Sequence, residues 1–171
     1  MLALAMSTAP GSSANGSVHP DGGSPQIVLR GVEMAEARQG GQVYRLVADN
    51  ASYAVRSGRA LASDVTLVLK EREGNVVVTA PVASWNMNEN RIDLPMGATA
   101  KGEAGWTAVS PRASVDLKEE VIRAEEASLS GPGLMVEGNT LRWRWRDGKV
   151  ELLEPKSSVV PAREHVPERK G

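Results

Sequence analysis

The sequence predicts an all-β protein: a twisted, slightly open β-jellyroll built from stacked bent antiparallel hairpins. Three observations carry this. The 171 residues hold 20 Val against 14 Leu and 3 Ile, with no Phe, and Val favours pleated surfaces where Leu favours helices. Apolar residues recur with a period of two through most of the chain, and no helical period competes with it. That stripe also returns four times. Segments anchored at Ala48, Ala80, Ser110 and Gly138 are offset by 32, 30 and 28 residues, the mark of a repeat architecture.

Each repeat carries the same irregularity. Upstream of the anchor the stripe runs through Tyr44 and Leu46, Val76 and Val78, Trp106 and Ala108, Leu134 and Val136. Downstream, one step of three leads to Ala51, Ala83, Ala113 and Leu141, after which the period of two resumes at Tyr53, Trp85, Val115 and Trp143 and again at Val55, Met87, Leu117 and Trp145. An odd step flips the register, so both halves keep an apolar inner face only if the strand turns a corner there. Small residues at the bend suit two sheets meeting in little space.

The elements follow in order. Residues 1 to 25 are rich in Ser, Gly, Ala and Pro behind a short apolar start and cannot bury enough to offset ordering, so they read as a disordered leader or the linker of a truncated anchor. An opening strand spans about Gln26 to Met34. Four hairpin units follow, turning at Arg56-Ser57-Gly58-Arg59, Asn88-Glu89-Asn90-Arg91, Lys118-Glu119-Glu120 and Arg146-Asp147-Gly148-Lys149, the last with an Asp-Gly hairpin signal. Returning limbs hold Val65, Leu67 and Leu69, then Ile92, Leu94, Met96 and Ala98, then Ile122, Ala124, Ala127 and Leu129, then Val150, Leu152, Ser157 and Val159. Gly-rich links restart each unit. The domain is thus residues 26–161, roughly nine strands or more, and 162–171 form a charged disordered tail.

Composition excludes several function classes. With 20 Lys and Arg against 21 Asp and Glu the net charge is -1, so no global field selects a polyanion, and no nucleic-acid partner is expected. Zero cysteines remove a thiolate metal site and a cysteine nucleophile, and both histidines, His19 and His165, fall in the predicted tails. Glu119-Glu120 and Glu125-Glu126 are adjacent pairs, a poor geometry for a shared carboxylate dyad. A non-enzymatic protein without metal or cofactor is expected.

The inward stripe is the candidate site. Tyr53, Val55, Val65, Leu67, Trp85, Met87, Leu94, Val115, Leu117, Trp143 and Trp145 would line a trough suited to acyl chains, since each methylene withdrawn from water contributes about 0.8 kcal/mol. The same residues would equally fill the closed core of a structural or carbohydrate-binding repeat domain. In Arg142-Trp143-Arg144-Trp145-Arg146, alternation sends two Trp to one face and three Arg to the other, unlike a stacking platform for bases. Those Arg form either a solvated strand face or a phosphate contact. The two outer strands leave unpaired edges, with Ile27 and Leu29 at one end and Val150, Leu152 and Val159 at the other offered for strand addition by a neighbouring sheet or for end-to-end self-association.

The block Gly41-Gln42-Val43-Tyr44-Arg45-Leu46-Val47-Ala48-Asp49-Asn50-Ala51-Ser52-Tyr53 resembles the G-x-x-W-x-L-x-A-x-x-A-x-Y opening of the LptC family, with Tyr44 where that family commonly has Trp. Leu61-x-x-Asp64-Val65-x-Leu67, Val78-x-Ala80, Ile92-x-Leu94 and Gly131-Pro132-Gly133-Leu134-x-Val136-x-Gly138 extend the likeness over about residues 27 to 160. It implies the OstA-like jellyroll shared with LptA. It also implies a periplasmic role: taking lipopolysaccharide, by its lipid A acyl chains, from an inner-membrane ABC transporter and passing it to an LptA-like bridge protein. Members carry one N-terminal membrane helix. No spanning run stands in residues 1–25, so an inner-membrane tether is expected of a longer form of the chain.

Overall fold

The computed structural model describes residues 26–39 and 41–155. The predicted leader, the tail and Val159 lie outside them. The described chain forms eleven antiparallel strands and no helix: β1 (Gln26–Arg38), β2 (Gly41–Ala54), β3 (Arg59–Glu71), β4 (Gly74–Asn86), β5 (Arg91–Leu94), β6 (Ala98–Gly102), β7 (Thr107–Ser110), β8 (Arg112–Asp116), β9 (Val121–Gly131), β10 (Leu134–Arg144) and β11 (Lys149–Pro155). All join one sheet in the order β1-β2-β3-β4-β5-β8-β9-β10-β11, with β6 and β7 continuing the path between β4 and β9 in the other half. The short pairs β5–β6 and β7–β8 are therefore two strands, each broken in the middle.

The break falls on one line across the sheet. Pairing skips Gly31 opposite Asp49, Asp64 opposite Asp49 and then Pro81, and Glu126 opposite Asn139, while Gly97 and Pro111 interrupt the two broken strands. Gly31, Asp64, Gly97, Glu126 and Glu154 have φ between 51° and 98°, so alternate strands pass through the left-handed region at the bend. These residues turn outward, and the inner stripe jumps three positions beneath them: Ala48 to Ala51, Ala80 to Ala83, Ala124 to Ala127, Gly138 to Leu141. The expected corner is present in every anchored segment. The returning limbs bend as well, and this overturns the inward placement of Met96, which stands beside Gly97 and is 68% exposed.

Folding along that line brings two layers face to face. Tyr44 of β2 meets Trp85 of β4 edge to face, ring centroids 6.2 Å apart. The buried set runs through both layers, from Leu46, Leu67, Leu69, Val76 and Val78 on one side to Ile92, Leu94, Val115, Leu141 and Trp143 on the other. At the bend, the buried Ser110 hydroxyl donates to the Arg112 carbonyl at 2.6 Å and accepts the Arg112 N–H at 3.1 Å. It thereby serves backbone groups that Pro111 withdraws from the ladder.

Turn chemistry sets the spacing of the units. Asn86 Oδ1 accepts the N–H groups of Asn88 and Glu89, and Asp116 Oδ1 those of Lys118 and Glu119; both are Asx turns at matching repeat positions. Successive turns are stitched together, Met87 N–H donating to Gly58 O at 3.1 Å and Leu117 N–H to Asn90 O at 2.9 Å.

Candidate functional site

The interior between the layers is the candidate site, and most residues of the predicted ranks face it. Val65, Leu67, Trp85, Leu94, Val115 and Leu117 are buried, Tyr53 and Met87 half-buried, and Trp143 and Trp145 are 2% and 1% exposed. Val55 departs from its expected place. It falls in the β2–β3 turn, 47% exposed, because the strand ends at Ala54 and the alternation ends with it. Tyr44, Leu69 and Trp106 belong to the same lining or its edge; they stand on the same stripe in sequence, so period alone identifies them.

Three donors are stranded in this apolar space. The indole N–H groups of Trp85, Trp143 and Trp145 are buried without a hydrogen-bond partner among the described residues. Each such orphan costs on the order of 1–3 kcal/mol, a penalty that Trp carries here and an aromatic ring without a polar atom would not. Trp143 packs against Gly102, where an added Cβ would come within 2.9 Å of its Cζ2. Nearby, burial raises the Glu71 carboxyl above its ordinary value, with the Trp143 indole favouring the carboxylate and Glu103 disfavouring it. The two groups do not close a hydrogen bond.

The side of the fold opposite the bend, where strand ends and turns of the two layers approach, is its mouth. Glu120, in the turn before β9, accepts two bonds from Arg146 Nη1 at 3.1 and 3.2 Å, and Arg38 Nη1 from the other layer stands 3.9 Å from its Oε1. Among the described residues this is the one ion pair that joins the layers; the others lie within one strand or link neighbouring strands or turns. Glu120 holds φ at 58°, which aims its side chain across the gap. Beneath it, burial pushes the Tyr44 phenol up to about 12, assisted by Glu36. Nothing in the local sequence marks this cluster, because it joins the end of β1 to turns late in the chain.

The strands β1 and β11 end the sheet, each paired on one side only among the described residues. Ile27 is 48% exposed on β1, and Leu29, Val150 and Leu152 are half-buried on the two edges. Pro155 stands opposite Gly138 in the ladder.

Comparison with known proteins places this geometry. The fold is similar to that of LptH from Pseudomonas aeruginosa, described as the LptA-homologous periplasmic component of the lipopolysaccharide transport device. The TM-score is 0.53 at 13% identity, over 71% of this chain and 94% of that one, which is a likeness of fold. No curated protein matches. The family described as lipopolysaccharide-assembly, LptC-related, matches over residues 1–157, a span that includes every described strand. The chain therefore belongs to the LptC-related family of lipopolysaccharide-assembly proteins.

Proposed function

We propose that the protein is a periplasmic transport module that receives lipopolysaccharide from an inner-membrane ABC transporter, holds its acyl chains between the two layers, and passes it to an LptA-like jellyroll. A tether in the inner membrane would hold its start beside the transporter. The observation that carries this reading is the set of three buried, unpartnered indole N–H groups in an otherwise apolar interior. Fatty-acyl ester and amide carbonyls of a lipid are acceptors that reach such a space together with the methylenes that fill it. The free edges at β1 and β11 support hand-over by strand addition, with Ile27 and Leu29 toward one neighbour and Val150 and Leu152 toward the other.

A second reading has its own support. The ranks are covered by the protein's own side chains, Leu117 and Trp145 included, as in the closed core of a structural or glycan-binding repeat domain. A photo-crosslinking residue at Trp85 or Leu117, with the exposed Leu61 as control, separates the two. Adducts with lipopolysaccharide at the inward positions and none at Leu61 are expected. Silence at both inward positions overturns the transport reading.

A further inference from the structure

The outer face of the sheet carries a second feature that the interior does not explain. A notch of about 330 Å³ opens at the turn end of β9 and β10, walled by Arg142, Arg144 and Arg146. Its floor is Val121, which alternation sends away from the interior, yet it is only 2% exposed and stands apart from the core. The Arg142 Nε–H is buried there without a partner. Three carboxylates also line the notch, Glu119, Glu120 and Asp147, but two are already paired: Glu119 by Arg123 outside the notch, and Glu120 by Arg146 within it and by Arg38. Among the described residues Arg142 and Arg144 form no ion pair; Glu151, opposite Arg142 in the β10–β11 ladder, is held by Lys149 at 2.6 Å, and Asp147 is the carboxylate of the lining without an ion pair.

We propose that this notch is an anion site for a phosphate monoester, held by Arg142 and Arg144 with Arg146 shared from Glu120. The inference rests on the transport reading for its source: the phosphate is one borne by the headgroup of the lipid whose chains lie between the layers. Guanidinium forks match the several oxygens of a phosphate, and charge-assisted bonds to them are the strong class. The placement fits an amphiphile. Residues 142 to 146 alternate Arg outward and Trp inward on one strand end at the mouth, so one ligand can meet both faces at the rim, headgroup outside and chains inside.

The test uses the full chain, with bis-phosphorylated lipid A, its dephosphorylated form and inorganic phosphate as probes. In the Arg142→Gln/Arg144→Gln double variant, the preference for the phosphorylated over the dephosphorylated lipid is expected to shrink about tenfold; an unchanged preference overturns the proposal. Arg144→Gln alone, at an exposed position, gives the same direction without disturbing Arg142. Titration of the wild type with inorganic phosphate, followed by the Arg142 Nε–Hε resonance, is judged separately. A saturating shift that the phosphorylated lipid displaces supports the site and its lipid source. A saturating shift that the lipid does not displace overturns the lipid source, and no shift overturns the site. If neither lipid binds, the transport reading fails, and the phosphate titration still decides whether the notch takes an anion.

Discussion

At Gly102 the absent side chain is what lets the two layers close. A methyl group there would stand 2.9 Å from Trp143 Cζ2, with the indole unable to retreat because it is fully covered. Overpacking of this kind costs about 1–3 kcal/mol. Gly102→Ala is therefore expected to lower the unfolding free energy from urea denaturation by that amount, with an altered Trp emission, and an unchanged midpoint would refute the contact. Tyr44, in the same interior, makes a pH prediction. Its phenol titrates at about 12 in the fold against 10.0 in an ordinary setting, so the fold favours the neutral form. That stability is complete below pH 10 and drains away as pH rises from 10 toward 12. Chemical denaturation across this window should show the slope in the wild type and a reduced one in Tyr44→Phe.

A strand that carries Glu126 at φ 51° inverts the ordinary preferences of β-structure. Elsewhere in a strand Val is favoured and Gly costs stability. At the left-handed bend a β-branched side chain is strained and Gly is not. Glu126→Val is thus expected to destabilise by about 1–2 kcal/mol and Glu126→Gly by much less, measured by thermal unfolding; the reverse order would show that the bend is not built this way. The same element shows what sequence could and could not disclose. The first-limb corners were legible because the odd step is written in residue type: small residues flank it at Ala48 and Ala51, and at Ala80 and Ala83. The return-limb corners at Asp64 and Glu154 were not, because neither residue is Gly or Asn and no pair of small residues flanks them. Met96 was misplaced because the alternation was continued through Gly97, whose φ of 98° breaks it there, and Val55 because periodicity carries no signal of where a strand stops. Among site residues, the segregation of Trp143 and Trp145 from Arg142 and Arg144 follows from alternation alone. The depth of Trp143 required Gly102, on a strand that no local pattern pairs with it.

Taken as a whole, the molecule is a folded sheet whose deepest side chains, Leu117, Trp143 and Trp145, are covered by its own residues. The bend side is continuous backbone from β1 to β11, so any opening must pivot there and separate the turns opposite. The ion pair from Arg38 to Glu120 spans that separation at 3.9 Å. Pairs of this kind hold weakly, about 0.2–1 kcal/mol, which suits a closure that a lipid can displace. Glu120→Gln is accordingly expected to speed lipopolysaccharide loading about two- to fivefold, read as the rate of adduct formation from a photo-crosslinker at Leu117. The opposite perturbation is clean because the chain has no cysteine: Arg38→Cys/Glu120→Cys joined by a short bismaleimide should abolish those adducts, while either single variant treated alike should keep them. Loading at an undiminished rate in the cross-linked protein would mean that lipid does not pass this mouth.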